Sequence, residues 1–190
     1  MGPCFTIMNN HGKVIFIEGI WGSGKTALVK VLKKSLDGRT VTLKEPNHLT
    51  SLKKASPEKI TNWYLRAHHK NIRRAISLSS DNDTVLTERS PISSISFMRA
   101  YLNKDSRGLE KNMIRLETEL GRILKLTGKK AVIVYLNHNL DRTLAKLHSK
   151  AHLKHLDSVD SLMILAKSTR EFLARLNKRG IIDLIILKNE

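Results

Sequence analysis

Apolar residues recur along this chain with two alternating periods. Val14, Ile15, Phe16 and Ile17 form an uninterrupted run of the length of one buried strand. Ala27 to Leu36 then carries apolar residues at helical spacing, and Gly38 supplies a stop. A second strand is predicted over Thr40 to Lys44, ended by Glu45-Pro46, and Asn47 to Ala55 reads as a loop. Ser56 as N-cap and Pro57 at the first helical position open a helix running to Leu78. Its core face is Ile60, Leu65, Ile72 and Ile76, while Asn62, Arg66, His69 and Arg73 share another face.

The alternation continues to the end of the chain. Ser79 to Asp83 is a turn, Thr84 to Thr87 a strand, and Ser90-Pro91 begins a helix burying Ile92, Ile95, Phe97 and Met98. A long helix is expected over Gly108 to Leu126, with Met113, Leu116, Leu120, Ile123 and Leu124 on one side. Ala131 to Leu136 is the most apolar strand, and Asp141 to Leu147 begins a helix. Val159 to Lys178 turns Leu162, Leu165, Ala166, Thr169, Phe172, Leu173 and Leu176 to one side, before Gly180 and a fifth strand, Ile181 to Leu187. Strands alternating with amphipathic helices predict βαβ units: an α/β fold with a five-stranded parallel sheet and helices on both faces. At 190 residues this is one domain, with residues 1–12 as a flexible N-terminus.

Between the first strand and first helix, Gly19-Ile20-Trp21-Gly22-Ser23-Gly24-Lys25-Thr26 fits G-x-x-x-x-G-K-[ST] at every fixed position. Glycines let successive N–H groups converge on phosphate oxygens, with the positive end of a helix behind them. Gly19, Trp21, Gly22, Ser23, Gly24, Lys25, Thr26 and Ala27 are therefore the candidate nucleotide site. Lys25 is expected at the β- and γ-phosphates and the Thr26 hydroxyl on Mg²⁺, so ATP and Mg²⁺ are the expected cofactors.

Charge and composition sharpen the list of partners. The 34 basic against 17 acidic residues give +17, which points to an anionic partner: nucleotide phosphates first, nucleic acid through the basic surface second. One cysteine, Cys4, forbids an intrachain disulfide and suits a reducing, cytoplasmic compartment. No apolar run reaches the roughly 18 residues of a membrane span, and the N-terminus has no secretory pattern. It fits M-G-x-x-x-[ST], but Pro3 directly after Gly2 argues against acylation.

Two charged clusters lie where open α/β sheets bind ligands, at the carboxyl ends of strands. Glu45 follows the second strand. Glu88-Arg89-Ser90 follows the third, offering a carboxylate for Mg²⁺ and a guanidinium for charge on a transferring phosphoryl group. On the long second helix, the face of Arg66 and His69, flanked by Trp63 and Tyr64, offers a base and phosphate pocket, with a solvated basic face as the plainer reading. His148 to His155, with Lys150 and Lys154, reads as a basic flap over phosphates, within a lid-like segment at about residues 148–157.

The E-G-I-W-G-S-G-K-T loop, the L-K-E-P stretch and T-E-R-S-P-I-S-S-I-S-F together resemble the thymidylate kinase and deoxynucleoside kinase superfamily of P-loop phosphotransferases. L-R-A-H-H-K-N-I is similar to the D-R-x-x-H stretch of thymidylate kinases, with Arg66 and His69 on the motif and Leu65 in place of its aspartate. The resemblance implies Lys25, Glu45, Glu88 and Arg89 as catalytic residues, with Glu45 as general base toward an acceptor hydroxyl. It implies Thr26 and Glu88 near Mg²⁺, and Glu45, Trp63, Arg66, Arg89 and Ser93 around the acceptor. Lys146, Lys150 and Lys154 stand where the family has an arginine-rich lid, giving charge without the bidentate fork. Trp21 replaces the loop Asp of thymidylate kinases.

The expected function is phosphoryl transfer from ATP to a deoxynucleoside or a dTMP-like deoxynucleoside monophosphate. A polynucleotide 5′-hydroxyl kinase or nucleic-acid-associated NTPase is the first rival. A catalytically weakened nucleotide-binding regulatory protein is the second. Either acceptor class is compatible with a homodimer.

Overall fold

The computed structural model describes residues 12–46, 55–102, 106–138 and 159–189. Five strands, β1 (Lys13–Gly19), β2 (Thr40–Leu43), β3 (Thr84–Glu88), β4 (Ala131–His138) and β5 (Ile182–Asn189), form one all-parallel sheet in the order β2-β3-β1-β4-β5. The helices are α1 (Lys25–Ser35), α2 (Pro57–Leu78), α3 (Pro91–Phe97), α4 (Ser106–Thr127) and α5 (Val159–Lys178). The expected α/β architecture is what forms, and among the described residues strand and helix ends fall within a few residues of those read from periodicity; the helix expected from Asp141 to Leu147, the lid-like segment at about 148–157 and most of the 47–55 loop lie outside the described residues.

The central strand shows why. Successive side chains of β1 point to opposite faces. Val14 and Phe16 enter the large core built with α2, α3, α4 and α5. Ile15 and Ile17 pack instead with Val134, Leu136 and the α1 residues Leu28, Val29 and Leu32. With both faces covered, β1 is apolar from Val14 to Ile17. Phe16 is fully buried, and its truncation to alanine would cost about 3–5 kcal/mol.

Local chemistry sets the helix starts that aim the site. Ser56 accepts a hydrogen bond from Lys59 N at the head of α2, with Pro57 behind it. Ser90 does the same for Ile92 N at the head of α3, again followed by proline. α3 runs on into a π-helical turn, Met98–Leu102.

Two expectations are corrected. Leu124 is 38% exposed, because the buried stripe of α4 runs through Leu116, Leu120 and Ile123 and leaves Leu124 on its rim. α2 is flanked by the sheet on one side and α4 on another. His69, expected to share a pocket-lining or solvated face with Arg66, is therefore buried, its Nδ1 2.5 Å from Glu119 Oε2 of α4. Arg66 is exposed, and its Nε donates to the Asn62 carbonyl.

Candidate active site

The glycine loop leaves β1 through Gly19, whose φ of +147° few other residues adopt. A Cβ there would lie 2.7 Å from Ser23 Oγ and 3.0 Å from the Leu136 carbonyl, so the loop closes on itself only with glycine. Gly22 (φ 75°) and Gly24 (φ 91°) complete the turn, and Gly24 is the left-handed cap of α1. Lys25 is buried beneath the loop, where its Nζ donates to the carbonyls of Gly19 (3.2 Å) and Ile20 (2.9 Å). Burial first, then the nearby Arg89 guanidinium, pull its ammonium down to about 7, against the opposing pull of Glu45, Glu18 and Glu88.

Parallel pairing of β3 beside β1 carries Glu88-Arg89-Ser90 to the loop. Thr26 Oγ1 donates to Glu88 Oε1 at 2.5 Å, bringing together the two residues expected at a metal ion. Arg89 N donates to the Ile17 carbonyl, and Arg89 adopts φ 65°, a left-handed conformation costly for a side-chain-bearing residue. Glu18 helps to hold that turn. Fully buried, its Oε1 accepts from Ser90 N (2.7 Å) and Ser90 Oγ (2.5 Å), and its Oε2 from Ser93 Oγ (2.5 Å). Burial pushes the Glu18 carboxyl up, countered by Arg89, Ser90 and Ser93.

Arg89 is the hub of the cluster. It is 4% exposed, its Nη1 donates to Ser93 Oγ at 2.9 Å, and its guanidinium lies 5.2 Å over the Trp21 ring. Its Nε lies 2.7 Å from Glu45 Oε1, an ion pair whose N–H is not well enough aimed for a hydrogen bond. Burial raises the Glu45 carboxyl, but Arg89 and Lys25 outweigh it and hold Glu45 below the usual carboxylate range. Among the described residues, Arg89 Nη2 has no partner.

Helix α2 adds His68, which the sequence had not marked, and Tyr64, which it marked only as flanking a possible pocket face. Tyr64 stacks on His68 one turn later, with ring centroids 5.8 Å apart and planes at 21°. Both feel the charges of Glu45 and Arg89. Burial and then Glu45 push the Tyr64 phenol up to about 12, while burial and then Arg89 pull His68 down to about 3.

The structure thus gathers Lys25, Thr26, Glu45, Glu88, Arg89 and Ser93, with Trp21 beneath Arg89. Trp63 packs edge-on against Tyr64 at 5.2 Å. Arg66 stays outside, and Lys146, Lys150 and Lys154 lie outside the described residues. Ser93 is engaged by Glu18 and Arg89 within the protein. Glu18 and His68 were not foreseen as site residues, and Tyr64 only as a flank of the α2 pocket face. A glutamate closing an apolar strand, and a Tyr–His pair at i, i+4 beside an apolar stripe, are the signals that mark them. A cavity of about 510 Å³ lies between Ile20, Tyr135 and the α5 residues Met163, Lys167 and Arg170. It meets the loop only at Ile20 and holds none of these polar groups, so convergence of chemistry locates the site better than volume does.

An all-parallel 2-3-1-4-5 sheet with a glycine loop between its central strand and the following helix is the fold of a P-loop kinase. Deoxyadenosine kinase from M. mycoides with bound dATP superposes with a TM-score of 0.63 at 18% identity, over 92% of this chain and 90% of that one. Thymidylate kinase from Candida albicans gives 0.62 at 16%, over 95% and 85%. A second M. mycoides deoxyadenosine kinase structure, with products dCMP and a flexible dCDP bound, gives 0.58 at 19%, over 93% and 90%. The deoxynucleoside kinase family model matches residues 15–160, and the chain belongs to that family. It is a phosphotransferase of the deoxynucleoside kinase family, using a nucleotide phosphate donor. No curated protein matches it by sequence. Among the described residues, no helix is long and apolar enough to cross a membrane.

Proposed function

We propose that this chain transfers the γ-phosphoryl group of Mg·ATP to a deoxynucleoside hydroxyl, with a deoxynucleoside monophosphate as the alternative acceptor. The observation that carries the acceptor reading is the Glu45–Arg89 pair, 2.7 Å apart at the carboxyl edge of the sheet. Glu45 is ionised at neutral pH and 28% exposed, so an entering hydroxyl has a carboxylate oxygen to accept its proton. Arg89 keeps Nη2 for an oxygen of the transferring group while Nη1 and Nε are held by Ser93 and Glu45.

On the donor side, Lys25 and the loop N–H groups hold the β- and γ-phosphates. Thr26 Oγ1 and Glu88 Oε1 are hard oxygen donors side by side, a set that suits Mg²⁺ completed by phosphate oxygens and water. When bound, the ion would neutralise charge developing on those oxygens. The protein's share is alignment and charge neutralisation, because phosphoryl transfer asks for little covalent help.

ADP release from Mg·ATP across deoxynucleosides, their monophosphates and a 5′-hydroxyl oligonucleotide tests this reading, with Lys25→Ala as control. Turnover confined to nucleosides supports Glu45 as base, whereas turnover on monophosphates alone makes it a positioning group. Oligonucleotide turnover with a steep salt slope would favour the nucleic-acid rival that +17 suggests. Silence with ATP still bound would favour the regulatory one.

A further inference from the structure

The reaction as described uses few of the chain's cations, and the net charge of +17 is left over. Part of that excess is ordered at the seam between α2 and α4. Both helices pack on the face of the sheet that carries the main core, whereas α1 lies on the other face. Arg66, Lys70 and Arg73 recur at i, i+4, i+7 on α2, and Lys111, Arg115 and Arg122 at i, i+4, i+11 on α4. Each set therefore forms a row along one side of its helix, and all of these side chains are exposed.

Glu119 brings the two rows together. Arg73 Nη1 donates to Glu119 Oε1 at 3.3 Å from α2, and Arg115 Nε lies 3.6 Å from the same oxygen on α4. Two guanidiniums are thus held to one oxygen atom across the seam, and the carboxylate between them is only 8% exposed. Each guanidinium keeps further N–H donors beyond that contact. The other acids of the two helices, Glu58, Glu110 and Glu117, fall outside the rows, and Glu117 is paired with Arg179. The outer side of the seam is a positive strip with its one carboxylate underneath.

We propose that this strip binds the phosphodiester backbone of a nucleic acid, as a surface separate from the phosphate loop. At 1.5 Å per residue, Lys111 to Arg122 spans about 16 Å. A duplex backbone carries a phosphate every 3.4 Å or so of its axis on each strand, so about five phosphates of one strand pass along the strip. A free nucleotide gathers its phosphates at one end and is served by the loop, whereas two rows of cations suit charges repeated along a line. Arginine predominates here, and its fork matches phosphate oxygens better than the point charge of lysine. Contacts of this kind read the backbone and are indifferent to base sequence. The nucleic acid is then a bound partner and need not be the acceptor, so this assignment stands apart from the acceptor reading.

The test is fluorescence anisotropy of a labelled, mixed-sequence DNA duplex of about 20 base pairs, titrated with the full chain over a range of salt concentrations. The seam variant is Arg73→Gln/Arg115→Gln/Arg122→Gln, in which Glu119 keeps its contact to His69. The control is Lys30→Gln/Lys33→Gln/Lys34→Gln, which removes the same charge from exposed positions of α1 on the opposite face. The seam variant should bind about 10²-fold more weakly at 0.1 M salt, with a salt slope shallower by about 2–3, while the control stays within about threefold of wild type. Equal losses in the two variants would mean that net charge alone attracts the DNA, and would overturn the proposal. So would an absence of binding by the wild-type chain. Saturating Mg·ATP at matched ionic strength should leave the DNA bound, and its displacement would put the DNA on the phosphate loop and overturn the proposal too. Should the seam variant not fold, Arg122→Gln decides against Lys33→Gln: its salt slope should be shallower by about 0.9, and an unchanged slope overturns the assignment.

Discussion

Glu18 Oε2 and Ser93 Oγ lie 2.5 Å apart, and the same Ser93 oxygen accepts from Arg89 Nη1 at 2.9 Å. The carboxylate that closes β1 is thereby coupled through one hydroxyl to the Arg89 guanidinium. Arg89 also sits at φ 65°, a conformation that persists only where its surroundings insist on it. Glu18→Gln and Ser93→Ala are expected to loosen Arg89 without touching the glycine loop. Steady-state kinetics should show kcat lower by on the order of 10²-fold for Glu18→Gln, less for Ser93→Ala, with the KM for ATP little changed. A loss expressed mainly in the KM for ATP would refute this positioning role.

Lys25 predicts a pH dependence of nucleotide binding. In the free protein its ammonium titrates near 7, because burial and Arg89 disfavour the charge. Bound phosphates favour the charged form and raise that value. At pH 7 and above, ATP binding should therefore take up a proton, and ATP affinity should fall as pH rises through the range above 7. Below that range Lys25 is charged in both states and uptake disappears. Calorimetric titration in buffers of different ionisation enthalpy measures the uptake, and Lys25→Met should abolish it.

The Thr26–Glu88 contact gives a metal-specific expectation. Either side chain alone is one oxygen ligand among several, so removing one should weaken the ion without unfolding the chain. Glu88→Gln and Thr26→Ala are expected to raise the Mg²⁺ needed for half-maximal activity by about 10–100-fold, and Thr26→Ser by far less. Activity against free Mg²⁺ at fixed ATP checks this. A fall in activity that saturating Mg²⁺ leaves untouched would place both residues elsewhere in the mechanism.

What could be read from the sequence was what is local. The strands declare themselves by length and apolarity, the helices by period and by Ser-Pro starts at 56–57 and 90–91, and the phosphate loop by eight consecutive residues. Glu45 and Glu88 were visible because parallel sheets place strand ends at one edge. The rest depends on contacts between distant segments. Glu18 meets Ser90 72 residues later, and nothing near Glu18 announces the partner. His69 shares a helical phase with Arg66, and only the arrival of α4 decides that His69 is covered while Arg66 is not. His68 and Tyr64 gain meaning only once β2 delivers Glu45 and β3 delivers Arg89 to the same place.

The His69–Glu119 pair separates stability from catalysis. Glu119, 8% exposed, lies 2.5 Å from His69 Nδ1, 3.3 Å from Arg73 and 3.6 Å from Arg115, fastening α2 to α4 away from the phosphate loop. The two arginines are about half exposed, and such surface charges contribute little. The buried contact to His69 carries the weight. Glu119→Ala leaves a buried ring nitrogen with no acceptor and should cost about 1–3 kcal/mol of stability, read as a lower urea midpoint at unchanged slope. Because α2 also carries Tyr64 and His68, the KM for the acceptor should rise as the helix loosens, while the KM for ATP should hold. Arg73→Ala, which removes only an exposed partner, should leave both the midpoint and the kinetics nearly as they were.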